Sequence, residues 1–357
     1  MKVLVAAGGT GGHVYPALAV VEELRANGAL SRCAWVGNPH GLEQRAVALH
    51  PWIEFLPLSS RGIDRRRPWT WPLSFAQTLT RVVRALVMVR RFDPDVVLGT
   101  GGHAAFAPLV AAWLLGIPTA IHEQNVRMGL SNRLLARRAD VVLLSYPTTR
   151  GVPRQARVQV IGNPVRRSVR DVPRHLGEEL LVVGGSLGSR RLVEAMVQVA
   201  PELAQTPGLR MRVVVGQAAP VGDVTRALAE AGVPAEVVQY AEPFAEALSR
   251  ARLVVARAGA TTVAEVAAAG RPAVFVPWDG ATDRHQHDNA WAMAQAGGCR
   301  VVTEDAVARD LGGVVRELWN DDQRLRDMAF AARAAARPDA ARLAAQALIA
   351  LVEGARL

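Results

Sequence analysis

Residues 2–27 read KVLVAAGGTGGHVYPALAVVEELRAN. An apolar β-type run, Lys2–Ala7, enters four closely spaced glycines and then a helical pattern expected from about Pro16 to Asn27. A strand that passes through glycines into a helix is the opening of a Rossmann-like unit. The glycines let the backbone approach an anion, and the helix start presents free N–H groups under a favourable dipole, although plain tight turns give the same glycines. Position 14 is Val, so the spacing is not G-x-G-x-x-G, and no G-x-x-x-x-G-K-[ST] follows.

The same grammar recurs outward from this stretch. Strands are expected at Cys33–Gly37, Ile53–Leu58, Val96–Gly99, Thr119–Glu123 and Val141–Ser145. A second series runs Glu179–Ser186, Met211–Gly216, Ala235–Tyr240, Leu253–Arg257 and Ala273–Pro277, and a last helix starts near Arg342. Glycine loops follow the strands at 8–12, 101–102 and 184–188. Repeated strand, turn and helix implies α/β architecture with parallel sheets, and 357 residues suit two such domains. Gly162 and Pro164 mark a hinge between them. Ligands on such sheets bind beyond the carboxyl ends of the strands, so a cleft between the two halves is expected.

A formal net charge of +10 favours anionic partners. No zinc-finger spacing or RNP-like aromatic pattern supports nucleic acid. Cys33 and Cys299 lack metal-ligand spacing and read as inert buried thiols, and the short apolar N-terminus does not read as a signal peptide. The chain is therefore expected in the cytoplasm. Asp93-Pro-Asp95 resembles a metal–diphosphate motif but precedes a strand, at the wrong end of a sheet, and reads as a turn. His285, His287 and Asp288 lack a distant partner for a metal site.

Three stretches carry candidate chemistry. His13 is either a general base or a brace for its glycine loop; position alone does not separate these. In RAGATTVAEVAA (Arg257–Ala268), Thr261 and Thr262 open a helix that could receive a diphosphate, and Glu265 could accept from ribose hydroxyls; a plain capping arrangement gives the same pattern. Gln286 can hydrogen-bond sugar hydroxyls. Arg61, Arg65, Arg66 and Arg67 lead through Trp69, Trp71 and Phe75 into an amphipathic helix over about Leu73–Arg91, with Leu79 and Val83 on its apolar side. That reads as docking on anionic lipid, against an ordinary core helix with a solvated arginine loop. Arg81 and Arg84 argue against a membrane span.

Taken in order, GGTGGHVYPALAV (Gly8–Val20), GGHAAFAP (Gly101–Pro108), HEQN (His122–Asn125), GNPVR (Gly162–Arg166), GGSLGS (Gly184–Ser189), RAGATTVAEVAAAG (Arg257–Gly270) and DRHQHDNA (Asp283–Ala290) resemble the MurG family over essentially the whole chain. The resemblance implies a GT-B fold. Residues 1–163, joined by the terminal helix 342–357, would form an acceptor-binding, membrane-facing domain, and 164–341 a UDP-sugar-binding domain. It implies inverting transfer of N-acetylglucosamine from UDP-N-acetylglucosamine to lipid I, giving lipid II for peptidoglycan, at the cytoplasmic face of the membrane. No cofactor is required, and cell-wall synthesis proteins are candidate partners.

By the same resemblance His13 is the candidate base, with Thr10 beside the reacting sugar. Thr10, Gly11, Gly12, Asn125, Arg166, Ser186, Ala241 (through its backbone), Ala260, Thr261, Thr262, Glu265, His285 and Gln286 would bind the donor. Gly101, Gly102 and His103, with Arg61, Trp69, Trp71, Phe75 and Leu79, would serve acceptor and membrane. The chain departs from the family at His103 (commonly Tyr), Val126 (Gly), Ala258 (Ser) and Thr261 (Leu). A UDP-N-acetylglucosamine 2-epimerase and a non-catalytic nucleotide-sugar-binding scaffold are the rival readings.

Overall fold

The computed structural model describes residues 1–60, 71–185, 188–280 and 285–355, without the side chains of 71–75. The chain divides into two compact units, Met1–Arg166 with Asp339–Leu357, and Arg167–Pro338.

The N-terminal unit holds seven parallel strands: β1 (Lys2–Ala7), β2 (Arg32–Gly37), β3 (Ile53–Pro57), β4 (Val96–Gly101), β5 (Thr119–Glu123), β6 (Val141–Leu144) and β7 (Val158–Val160). Their order is β3-β2-β1-β4-β5-β6-β7. Its helices are α1 (Gly11–Ala26), α2 (Leu42–Ala48), α3 (Trp71–Phe92), α4 (Gly102–Leu114), α5 (Leu130–Leu135) and, from the chain's end, α14 (Ala340–Ala355). Successive side chains of β1 point to opposite faces. Val3, Val5 and Ala7 pack against α1 and α14, whereas Leu4 and Ala6 pack against the α3–α4 side. A strand buried on both faces is apolar along its buried length, which is why VLVAA, after the half-buried Lys2, does not alternate.

The second unit repeats the plan with six parallel strands: β8 (Glu179–Val183), β9 (Arg210–Val214), β10 (Ala235–Val238), β11 (Ala251–Ala256), β12 (Ala273–Phe275) and β13 (Cys299–Val301), in the order β10-β9-β8-β11-β12-β13. Its helices are α6 (Arg167–Arg170), α7 (Arg190–Leu203), α8 (Val221–Glu230), α9 (Phe244–Arg250), α10 (Ala260–Ala268), α11 (His285–Gln295), α12 (Val307–Trp319) and α13 (Asp322–Ala335). One core joins Leu180 and Val182 of β8 to α7, α8, α12 and α13.

Strand order reverses between β1 and β4 in one sheet and between β8 and β11 in the other. Connections leaving two such strands run to opposite faces and open a crevice at their carboxyl ends. The glycine loops found in the sequence stand at these two points. Two features differ from expectation. The first helix starts at Gly11, not near Pro16, so Gly11, Gly12 and His13 form its first turn; Thr10, extended at φ −141°, is the residue before it. Strands β7 and β13 were not foreseen, being three residues each and without a periodic signal. Asp93 and Asp95 do form a turn, held at the amino end of β1 by Lys2: the Lys2 N–H donates to Asp95 and its Nζ pairs with Asp93 at 2.8 Å.

Candidate active site

In the N-terminal unit, His13 is half-buried on the first turn of α1 and leans across the end of β4. Its Nδ1 lies 2.8 Å from the carbonyl oxygen of Thr100. A carbonyl can only accept, so Nδ1 carries the proton and Nε2 keeps its lone pair. The Thr100 hydroxyl donates back to the His13 carbonyl at 2.8 Å, holding the backbone of the same turn.

A second acceptor reinforces this tautomer. Gln124 Oε1 lies 3.2 Å from His13 Nδ1. The Gln124 amide donates to Thr100 O at 2.9 Å and approaches His122 Nδ1 at 3.1 Å, which fixes which end of the amide faces His13. His122 in turn donates from Nε2 to Gly162 O at 3.2 Å. Burial lowers the His122 pKa to about 4, with the Gly162 hydrogen bond opposing and the charge of His13 adding. His122 is therefore neutral, as an acceptor from Gln124 must be.

Glycine is required beside this ring. Gly101 and Gly102 sit at φ +101° and +74°, in the left-handed region. A Cβ on Gly101 would lie 3.1 Å from the His13 ring, and one on Gly102 2.8 Å from the Gly8 carbonyl. The loop after β1 is shaped by a residue without any motif: Glu43, fully buried, accepts from the N–H groups of Asn38 (2.8 Å) and Gly9 (3.2 Å). A side chain at Gly8, Gly37 or Gly41 would overlap its carboxylate arm.

The remaining expected residues of this unit fall nearby or elsewhere. Thr10 precedes the His13 turn, with its Oγ1 beside Gly12. His103 is exposed on the first turn of α4. Asn125 turns its amide to Glu123 at 3.0 Å, a buried carboxylate that also accepts from the Gly129 N–H and from Asn132. Arg166 belongs with the N-terminal unit and lies over the Tyr15 ring, 4.2 Å from its centroid. Arg61 and Trp69 lie outside the described residues; Trp71 and Phe75 belong to α3, with side chains outside the description. Leu79, Val83 and Val87 stand one helical turn apart and are 59%, 54% and 64% exposed, beside exposed Arg84, Arg90 and Arg91.

In the second unit, α10 starts directly beyond β11 with Gly259 before it and no side-chain cap. Ala260, Thr261 and Thr262 form its first turn, where backbone N–H groups have no partner within the helix. Thr261 and Glu265 are buried, Glu265 to 4% exposure. Arg257, at the end of β11, organises everything around this turn. It donates to Ser189 Oγ (2.8 Å), to the carbonyls of Val276 and Pro277 (both 3.2 Å), and to Glu304 (2.5 Å). Glu304 also accepts from the Asp279 N–H and pairs with Arg191. This buried pair was not recognised in the sequence, where Arg257 reads as a strand end and Glu304 carries no motif.

Asn289 of α11 donates to the Ala258 carbonyl at 3.2 Å, fastening that helix to the same turn. His285 and Gln286 open α11, and the Gln286 Oε1 accepts from the Trp278 N–H at 3.0 Å. His287 pairs with Asp279 at 2.7 Å; among the described residues no group of three His, Cys, Asp or Glu could hold a metal ion. Ala241 follows β10 in the loop before α9. Ser186 lies outside the described residues. Cys33 and Cys299 are buried, and burial pushes both thiols up to about 12.

Two family models match the chain: the glycosyltransferase family 28 N-terminal domain over residues 3–144 and its C-terminal domain over 179–344. A UDP-N-acetylglucosamine–N-acetylmuramyl-(pentapeptide) pyrophosphoryl-undecaprenol N-acetylglucosamine transferase of Nitratidesulfovibrio vulgaris is 40% identical across 99% of this chain and 98% of its own. The crystal structure of Acinetobacter baumannii MurG superposes with a TM-score of 0.75 at 30% identity, covering 98% of this chain and 99% of that one. The chain belongs to the MurG family. It is a glycosyltransferase of the GT-B type. The crystal structure of a putative UDP-N-acetylglucosamine 2-epimerase from Listeria monocytogenes shares only the fold, at 16% identity and a TM-score of 0.69.

Proposed function

We propose that this protein transfers N-acetylglucosamine from UDP-N-acetylglucosamine to the 4-hydroxyl of N-acetylmuramic acid in lipid I, with inversion, forming lipid II. The substrates follow the name carried by its full-length relatives. The chemistry rests on one observation: His13 has Nδ1 committed to the Thr100 carbonyl, which leaves Nε2 as the proton acceptor.

In this reading the acceptor hydroxyl gives its proton to His13 Nε2 as its oxygen bonds to the anomeric carbon. The bond from that carbon to the diphosphate breaks, and its electron pair leaves with UDP. Charge grows on the diphosphate, so groups aimed at it stabilise the transition state more than the ground state. The uncapped start of α10, at Ala260, Thr261 and Thr262, supplies N–H donors and the positive end of the helix dipole. Glu265 takes the ribose, the Ala241 backbone the uracil, and His285 and Gln286 the sugar hydroxyls. Ser186, Arg166, Asn125 and the Thr10–Gly12 turn complete the donor contacts, and Gly101, Gly102 and His103 border the acceptor. Activation by the UDP leaving group calls for no cofactor.

The N-terminal unit is read as the acceptor-binding, membrane-facing part. The exposed Leu79–Val83–Val87 stripe with its arginines suits an anionic lipid surface at the cytoplasmic face. Among the described residues no helix is long and apolar enough to cross a membrane. Partners in cell-wall synthesis fit the same location.

The test mixes purified protein with UDP-N-acetylglucosamine and a soluble lipid I analogue. UDP release matched by a gain of one N-acetylhexosamine on the glycolipid is expected. Donor binding without transfer, to short- and long-lipid acceptors alike, contradicts the proposal, and formation of the 2-epimer without acceptor favours the epimerase.

A further inference from the structure

A cavity of about 640 Å³ in the second unit is lined by Arg174, Arg252, Asp322, Arg326, Phe330 and Arg333. It lies at the amino ends of β8 and β11: Leu176, also in its wall, precedes β8, and Arg252 is the second residue of β11. The candidate donor residues follow the carboxyl end of β11. One face of α13 supplies Asp322, Arg326, Phe330 and Arg333 at helical spacing.

The charges in this pocket do not balance internally. Asp322 is taken by Arg252, which also donates to the Trp319 carbonyl and lies 5.3 Å over its ring. Arg333 is directed to a backbone carbonyl, that of Ala269, at 3.0 Å. Behind it Arg271 is fully buried, bonds only to backbone carbonyls, and leaves one guanidinium nitrogen without a partner. Among the described residues Arg174, Arg271 and Arg333 have no carboxylate partner. Burial and then the charge of Arg333 lower the Arg271 pKa to about 10; burial and then Arg174 lower that of Arg333. Arg174 and Arg333 line the concavity without a counter-anion, and Arg271, outside the lining, adds its repulsion to that of Arg174 on Arg333. Planar guanidinium forks match phosphate oxygens bidentately.

We propose that this pocket binds a phosphoryl or pyrophosphoryl group, at a site separate from the sugar-nucleotide residues. The group can come from a soluble phosphate compound or from a phospholipid head group, with the exposed Phe330 ring at the rim.

The full chain, saturated with UDP so that the candidate donor site is occupied, is titrated calorimetrically with inorganic pyrophosphate. In parallel it is floated with phosphatidylglycerol vesicles. The comparison is Arg174→Glu/Arg326→Glu, both at exposed positions, with Arg174→Gln/Arg326→Gln as the milder pair. Loss of at least ~10-fold in pyrophosphate affinity in both pairs, with Glu265→Ala unaffected, is expected for a soluble ligand. A fall in vesicle binding below wild type in both pairs, the remainder being held by the α3 stripe, without pyrophosphate binding, supports the head-group source. Pyrophosphate and vesicle binding that are absent, or equal in wild type and both variants, overturns the site.

Discussion

His13 and Thr100 hold each other at two points: the ring Nδ1 meets the Thr100 carbonyl at 2.8 Å, and the Thr100 hydroxyl meets the His13 carbonyl at 2.8 Å. The pair joins the first turn of α1 to the end of β4 across the switch point of the sheet. Long-range ¹H–¹⁵N spectra are therefore expected to report neutral His13 protonated on Nδ1. A ring protonated on Nε2 contradicts this arrangement. Thr100→Val keeps the carbonyl and loses only the hydroxyl bond, so it costs about 1 kcal/mol in denaturant unfolding and leaves the tautomer unchanged.

Gln124 acts on the same ring from its other acceptor. Gln124→Leu removes one hydrogen bond to Nδ1 and is expected to lower kcat by roughly 10-fold while donor KM changes little. Gln124→Glu places a carboxylate there, which favours the charged imidazole, so the acid limb of the kcat/KM profile moves to higher pH. Equal pH profiles in Gln124→Glu and wild type contradict a contact with the reacting histidine.

His122 supplies a pH dependence of stability. Its folded pKa of about 4 lies below the ordinary 6.5. Below pH 6.5 the unfolded chain takes up a proton that the folded chain refuses. The stabilisation is therefore complete above that pH and is lost as pH falls towards 4, by up to about 3 kcal/mol. An NMR titration is expected to show the His122 ring still neutral at about pH 5.

The alternation of strands, glycines and helices made the two parallel sheets legible, because strands buried on both faces read as unbroken apolar runs. The local chemistry was less so. His13 was placed on a loop although it lies on a helix: glycines are poor helix formers, and nothing local announces that the turn is braced by Thr100, 87 positions away. Glu43 and Glu304 carry no motif at all. Each becomes recognisable only when folding gathers donors from separate loops around a buried carboxylate.

These buried carboxylates make sharp predictions. Gly8→Ala would push a methyl group into Glu43, so it is expected to lower Tm and transfer activity together. In the second unit, Glu304→Gln leaves Arg257 without its charged partner while preserving shape. Donor Kd is expected to rise about 10-fold or more, with a stability loss of about 1–3 kcal/mol. Unchanged donor affinity in Glu304→Gln contradicts a role for the Arg257 bracket in shaping the donor turn.

The most direct test is single-turnover transfer by His13→Ala, with the donor dissociation constant measured alongside. Removal of a general base typically costs about 10²–10⁴ in rate. A fall of that size with donor binding intact is the expected result. Transfer at close to the wild-type rate contradicts His13 as the group that takes the acceptor proton.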